Sequence, residues 1–428
     1  MTLLFGALAD DLTGGMELAA MLVAQGVRCG FVTDPAAVDS LDADLEALVI
    51  AQKTRVVPAA EAVAAFRRGA EALRSRGARQ LFFKYCATFD STDDGNIGPC
   101  ADVLREMTGS RLTAFCPSFP EAGRRGFQGH LFSDHMLISE SPKRFDPLTP
   151  MLDPSLVRTL QRQTATRVGL IPQQVVHAGP AALRAHARAL EDAGIGFAIA
   201  DAAEPSDLAA LAELTWDWPL MTGNSSICAY YPALWRQHGW LASESAVAQV
   251  AQLPAVDGPG VVLAGSCADR SIAQLHAFAR DRPVHWIDVE RALDGADVVA
   301  DALDWSLQKL QSGPVAIATS AQADVIERIQ VRVGKHEAAG IAEDILGRLA
   351  RRLRDAGVTR FIVSGGETSG AVLAHLGIDR LQVGPYAGPG IARAVAHDGK
   401  SQIALCLKSG KLGPEDMLLP MLQSMQGN

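Results

Sequence analysis

The chain has 428 residues, is 48% hydrophobic and 20% charged, and carries a formal net charge of −9 at pH 7. That balance fits an ordinary soluble globular enzyme and argues against nucleic acid or an anionic membrane as the main partner, so an anionic ligand must be met by a few local basic groups. The length exceeds the roughly 250–300 residues at which a single core stops growing, so two domains are expected.

Seven cysteines, at 29, 86, 100, 116, 228, 267 and 406, are odd in number and never spaced as C-x-x-C. They read as reduced cytoplasmic thiols rather than a disulfide framework or a zinc site. The opening MTLLFGALADDLTGG has no basic n-region, and no run of about 18 apolar residues occurs. No signal peptide and no membrane span are expected, and the expected location is the cytoplasm.

In chain order, strand character is expected at Leu3–Leu8, Ala47–Ala51, Leu81–Tyr85, Thr113–Cys116, Phe197–Ala200, Val261–Ala264, Val284–Ile287, Val315–Ala318, Arg360–Val363 and Ile403–Leu407. Helical spacing of apolar residues marks Ala59–Arg74, Pro180–Ala193 and Ala338–Ala356 between them. The alternation implies α/β architecture with mostly parallel sheets flanked by helices. Two prolines and two glycines in 252–260 mark a boundary, giving domains at 1–250 and 255–428. The segment 117–155, rich in Pro, Gly, His and Phe, is expected to be a long irregular loop that carries function.

Ligands in open α/β sheets gather at the carboxyl ends of strands. After the first strand come Asp10 and Asp11, next to Thr13-Gly14-Gly15, able to accept hydrogen bonds from hydroxyls or to meet hydrated magnesium, or to cap the following helix. After the second come Lys53, a point charge, and Arg55, a planar fork suited to a carboxylate. The third runs into Asp90, Ser91 and Thr92, a polar run able to bind a polyhydroxy acid or to form a solvated turn. The 117–155 segment adds Arg124 and His130 as candidate ligand contacts.

In the second half, three small-residue turns follow strands: Gly265-Ser266-Cys267, the run Ser364-Gly365-Gly366-Glu367-Thr368-Ser369-Gly370, and Lys408-Ser409-Gly410. Free backbone N–H groups and a helix dipole make such a turn an anion site, and three together point to a nucleotide cleft. Lys408 or Lys411 can neutralise phosphate charge there. The Walker A pattern G-x-x-x-x-G-K-[ST] is absent.

These motifs in this order resemble the four-carbon acid sugar kinases over nearly the whole chain. The similarity runs through ADDLTGG at 9–15, KTR at 53–55, KYCATFDSTDDGNIG at 84–98, CPSFPEAGR at 116–124, GHLF at 129–132 and DPLTPM at 146–151. It continues through AGSCADRS at 264–271, VSGGETSGAV at 363–372 and LKSGKLG at 407–413. The middle blocks look most like the 3-oxo-tetronate kinase branch.

The resemblance implies an N-terminal sugar-acid domain, a C-terminal nucleotide domain and an active site in the cleft between them. It implies ATP and Mg2+ as cofactors, with ATP contacts at Ser266, Ser364, Gly365, Gly366, Glu367 and Gly410, beside Thr368 of the same turn. The sugar-acid side falls on Asp10, Asp11, Arg55, Asp90, Ser91 and Thr92. One of Asp10, Asp11 and Asp90 would accept the hydroxyl proton, and Arg55 would grip the substrate carboxylate. Threonate or erythronate as the substrate, a non-catalytic binding protein, and a homodimer stay open. The sequence departs from the family pattern where Met16-Glu17 follows Gly14-Gly15, and in TGNSSICAYY at 222–231, which replaces a more usual TGGSGLA-like turn. It departs again where Asp93-Asp94 stands in place of the Leu-Arg of other branches.

Overall fold

Strands buried on both faces need apolar residues throughout, and five-residue runs such as FGALA and ALVIA meet that demand. The computed structural model describes residues 3–146, 148–242, 252–320 and 323–426. Pro147 of the DPLTPM block and residues 243–250 of the first expected domain lie outside the described residues. The chain divides into two compact units, Met1–Ala251 and Gln252–Asn428.

In the first unit the strands are β1 (Phe5–Ala9), β2 (Cys29–Val32), β3 (Ala47–Ala51), β4 (Gln80–Lys84), β5 (Thr113–Cys116), β6 (Arg124–Phe127), β7 (His130–Ser133), β8 (Met136–Leu137), β9 (Val168–Ile171), β10 (Phe197–Ala200) and β11 (Leu220–Gly223). The main sheet here has the order β2-β3-β1-β4-β11-β5-β10-β9, all parallel. Helices cover it and share a core that includes Leu8, Ile50, Phe66, Phe83, Tyr85 and Leu104. From β1 the chain goes outward to β3 and β2 on one side and to β4 on the other. The strand order therefore reverses at β1, which opens a crevice above its carboxyl end.

The segment 117–155 is not an irregular loop. It holds the separate antiparallel sheet β6-β7-β8 and three short 3-10 turns, Pro120–Ala122, Ile138–Glu140 and Pro142–Phe145. Strands of two to four residues, one of them reading Arg-Arg-Gly-Phe, leave too little apolar period to be seen in sequence.

The second unit contributes β12 (Gly260–Ala264), β13 (Val284–Trp286), β14 (Val315–Ala318), β15 (Arg360–Ser364), β16 (Arg380–Val383), β17 (Ile391–His397) and β18 (Gln402–Lys408). β13-β14-β12-β15-β18 are parallel, and β17 and β16 extend the sheet antiparallel. Val262, Ala316, Ile362, Cys406 and Leu275 lie in its core. Here the order reverses at β12, between β14 and β15. Each unit thus has one switch point, with the sequence motifs at its carboxyl edge.

Candidate active site

In the first unit the switch point is filled by charge. Arg55, just after β3, donates from Nε to Asp10 Oδ2 at 2.9 Å and from Nη2 to Asp10 Oδ1 at 2.8 Å. Its Nη2 also reaches Asp11 Oδ1 at 2.7 Å, while Nη1 stands 3.9 Å from Asp90 Oδ2. Lys84 ends β4 with its Nζ 3.4 Å from Asp11 Oδ1. Lys143 binds Asp90 Oδ1 at 2.9 Å, Asp146 Oδ2 at 2.7 Å and Thr149 Oγ1 at 3.1 Å.

Local structure explains how these groups meet. Asp11 is the N-cap of the helix Leu12–Ala24 and accepts from the Gly14 amide at 3.2 Å. Gly14, in the first helical turn, is where the Lys84 side chain lies, and a Cβ there would collide with its Nζ. Asn96 donates from Nδ2 to the Thr54 carbonyl at 2.7 Å and the Val57 carbonyl at 3.1 Å, clamping the turn that carries Arg55. Phe89 adopts a left-handed φ of 50° next to Asp90. Its buried ring packs edge-on against Tyr85, which holds a backbone state that a bulky residue otherwise avoids.

The three candidate carboxylates are not equivalent. Burial raises the proton affinity of Asp10 and prevails over Arg55, so its pKa stands above the ordinary carboxylate value. Burial pushes on Asp11 as well, but Arg55 and Lys84 outweigh it and hold that carboxyl well below its usual range. Asp90 is partly buried, and Lys143, Arg55 and the Thr88 hydroxyl bring it below the ordinary value. Lys84 and Lys143, despite burial, are held charged by Asp11 and Asp90 respectively.

Ser91 is buried and receives the Gln163 amide at 2.8 Å, while the Thr92 carbonyl receives the same group at 2.6 Å. Lys53 is exposed. Arg124 and His130 turn to their own segment: Arg124 donates to the Ala122 carbonyl at 2.8 Å and lies 3.5 Å from Asp134, and His130 Nδ1 lies 2.7 Å from the Gln128 carbonyl. The cation that the 117–155 segment delivers to the carboxylates is Lys143. Lys84, Lys143 and Asn96 were missed in the sequence. Only Lys84 left a signal, as a lone charge closing the apolar run Gln80–Lys84.

In the second unit the turns after β12, β15 and β18 are stitched together. Ser271 Oγ lies 2.8 Å from Ser364 Oγ and donates to the Gly410 carbonyl at 2.9 Å. Buried Lys408 donates to Ser364 Oγ at 3.0 Å and to the Ser409 carbonyl at 2.7 Å. Gly410 packs so closely that a Cβ would collide with Ser266 Oγ, and Gly365 has φ +122°, open to glycine alone. Gly365 is the N-cap of the helix Gly366–Leu376 and offers it no side-chain cap, the kind of helix start that suits an anion. Ser266, Gly365, Gly366, Glu367 and Thr368 line one cavity of about 380 Å³. Burial lowers the Lys408 pKa to about 8.

Comparison with known proteins fits this division. Residues 5–231 match a family described as "Sugar-binding N-terminal domain" and residues 261–418 one described as "Nucleotide-binding C-terminal domain". A Burkholderia multivorans protein named 3-oxo-tetronate kinase is 43% identical over 99% of this chain and 98% of its own length. One of the same name from Salmonella typhimurium is 35% identical over 98% and 99%. Crystal structures of proteins from Salmonella typhimurium LT2 and Haemophilus influenzae, each 33% identical, match with TM-scores of 0.84 and 0.75, covering 99% and 98% of this chain and 99% of each of theirs. With both domains in order and full-length similarity to proteins of one name, the chain belongs to the four-carbon acid sugar kinase family, on its 3-oxo-tetronate kinase branch.

Proposed function

We propose that the protein transfers the γ-phosphoryl group of ATP to the terminal hydroxyl of 3-oxo-tetronate, giving the 4-phosphate. The observation that carries this reading is that each unit has a switch point lined by polar groups. One is walled by cations and carboxylates, and the other by small-residue turns, a helix start without a side-chain cap and a buried lysine.

The acid substrate binds in the first unit. Nε and Nη2 of Arg55 are engaged with Asp10 and Asp11, so the Nη1 edge is the one that meets the substrate carboxylate. Asp10, the carboxylate whose proton affinity is raised, accepts the proton of the attacking hydroxyl, because a general base works best with a pKa moved towards the working pH. Lys84 and Lys143 hold Asp11 and Asp90 as anions and fix their orientation.

The nucleotide phosphates bind in the second unit against Ser266, the 364–368 turn and Gly410, with Lys408 supplying charge. Transfer requires the acceptor oxygen and the phosphorus about 3–3.5 Å apart, so positioning and charge neutralisation account for most of the catalysis. Among the described residues no group of three or more His, Cys, Asp or Glu side chains could hold a metal. That fits Mg2+, which is commonly held by substrate phosphates with one or two carboxylates. Mg2+ carried on the nucleotide phosphates would supply charge neutralisation during transfer. No helix among the described residues is long and apolar enough to cross a membrane, and we place the enzyme in the cytoplasm.

A coupled ADP-release assay with 3-oxo-tetronate, threonate and erythronate tests the function. The expected result is the highest kcat/KM with 3-oxo-tetronate. A higher value with either other acid reassigns the substrate, and no ADP release with any acid would leave a binding protein.

Lys408 gives a pH signature. Its pKa of about 8 in the fold lies below the ordinary 10.5, so between those values the unfolded chain holds the extra proton. Stability from this group therefore rises with pH across that window, and its cost is fully present below it. A phosphate ligand favours the charged form, so nucleotide binding at pH 8.5 should take up protons. Calorimetry in buffers of different ionisation enthalpy should show the uptake in the native protein and its loss in Lys408→Met. Equal uptake in both proteins would remove Lys408 from the phosphate site.

A further inference from the structure

Thr319 follows β14 directly and is 4% exposed. Its amide donates to the Ala264 carbonyl at 3.0 Å, yet its hydroxyl has no hydrogen-bond partner. It lines the same cavity as Ser266 and the 365–368 turn. A buried hydroxyl without a partner forfeits the hydrogen bonds it would make in water, and so calls for an explanation.

Sheet order supplies one. Along the carboxyl edge of β13-β14-β12-β15 the cavity meets Val289 beyond β13, Thr319 after β14, Gly265 and Ser266 after β12, and Gly365 after β15. The phosphate-type groups sit at β12 and β15. The other walls carry Val289, Ile329, Ala338, Ala339 and Ala342, with Gln330 and Glu343 beside them. Thr319 stands one strand spacing, about 4.8 Å, from the phosphate turn on the way to those walls. Ser320 fixes it there by donating to the Ser266 carbonyl at 2.7 Å.

We propose that Thr319 Oγ1 is a binding contact to the nucleoside half of the nucleotide, at the ribose, with the purine against the Val289 and alanine wall. The inference rests on the nucleotide occupying this cavity, as argued above. The hydroxyl can donate to a ribose oxygen or accept from a ribose hydroxyl, and it gains its partner only when the ligand arrives.

The test is calorimetric titration of Thr319→Val, Thr319→Ser and Gly410→Ala with ATP and with inorganic tripolyphosphate. Thr319→Val keeps the shape and removes the hydroxyl. It should weaken ATP about five- to tenfold, leave tripolyphosphate unchanged and leave the melting temperature of the free protein no lower, because no internal hydrogen bond is lost. Thr319→Ser should restore most of the ATP affinity. Weakening of both ligands alike would move Thr319 to the phosphates and overturn the nucleoside assignment, as would a lowered melting temperature with unchanged affinity. If Gly410→Ala weakens ATP and Thr319→Val does not, the inference fails and the nucleotide site stands. If neither variant weakens ATP, the cavity is not the nucleotide site and both fail.

Discussion

Arg55→Ala is expected to lower kcat/KM for the acid by about 30- to 5,000-fold and to destabilise the first unit. Arg55 holds Asp10 through two hydrogen bonds of 2.9 and 2.8 Å and Asp11 through one of 2.7 Å. Asp10 is 3% exposed, so removal of the guanidinium strands a carboxylate in a site that water cannot enter freely. Breaking a buried pair by removing one partner typically costs about 3–5 kcal/mol. Loss of the substrate contact adds on the order of 2–5 kcal/mol in recognition. Urea unfolding should record the first effect, and kcat/KM for the acid, measured where the variant remains folded, the second. Arg55→Lys should recover part of the stability and little activity, because an ammonium cannot copy the fork. Unchanged KM and kcat in folded Arg55→Ala would remove Arg55 from the substrate site.

Asp10→Asn is expected to lower kcat by about 10²–10⁴-fold, the usual contribution of a positioned general base, while leaving nucleotide affinity intact. The amide keeps the shape, and Arg55 keeps Asp11 as an anionic partner at 2.7 Å, so the fold should survive. Asp90→Asn provides the comparison. Asp90 is held as an anion by Lys143 and should cost less in kcat. The pH profile carries the same information. A base must be unprotonated to act, so the native rate should fall with decreasing pH through an apparent pKa above the ordinary carboxylate value. A larger kcat loss in Asp90→Asn than in Asp10→Asn would transfer the role of base to Asp90.

Much of this was legible in the sequence because parallel strands buried on both faces must be apolar along their length. Ala47–Ala51, Thr113–Cys116, Phe197–Ala200 and Val315–Ala318 were found with the bounds they have in the fold. The two switch points could be anticipated for the same reason: polar residues that directly follow such runs stand at the carboxyl edge. The antiparallel β17, whose IARAVAH carries an arginine in its middle, gave no such run. Neither did β2, β9 and β11, where a glycine breaks or ends the run. Contacts between residues distant in sequence left the least trace. Lys143 reaches Asp90 only because β6-β7-β8 and the turns after them fold that way, and nothing local to Pro142–Phe145 announces it. Asn96 looked like part of a polar run, and its clamp on the Arg55 turn spans 42 positions.

Two of the departures from the family pattern touch. Glu17, on the helix Leu12–Ala24, accepts a hydrogen bond from Ser225 Oγ, and both are buried, 208 positions apart. A buried carboxylate in that position needs donors, and the Ser225 hydroxyl supplies one. For recombination between this chain and a relative with the more usual motifs, the pair sets a rule about crossover points. An exchange between positions 17 and 225 takes the acid from one parent and its donor from the other, so the buried hydrogen bond is kept only with a parent that also carries serine at 225. An exchange near 252–260 inherits both residues from one parent and keeps the first unit self-consistent.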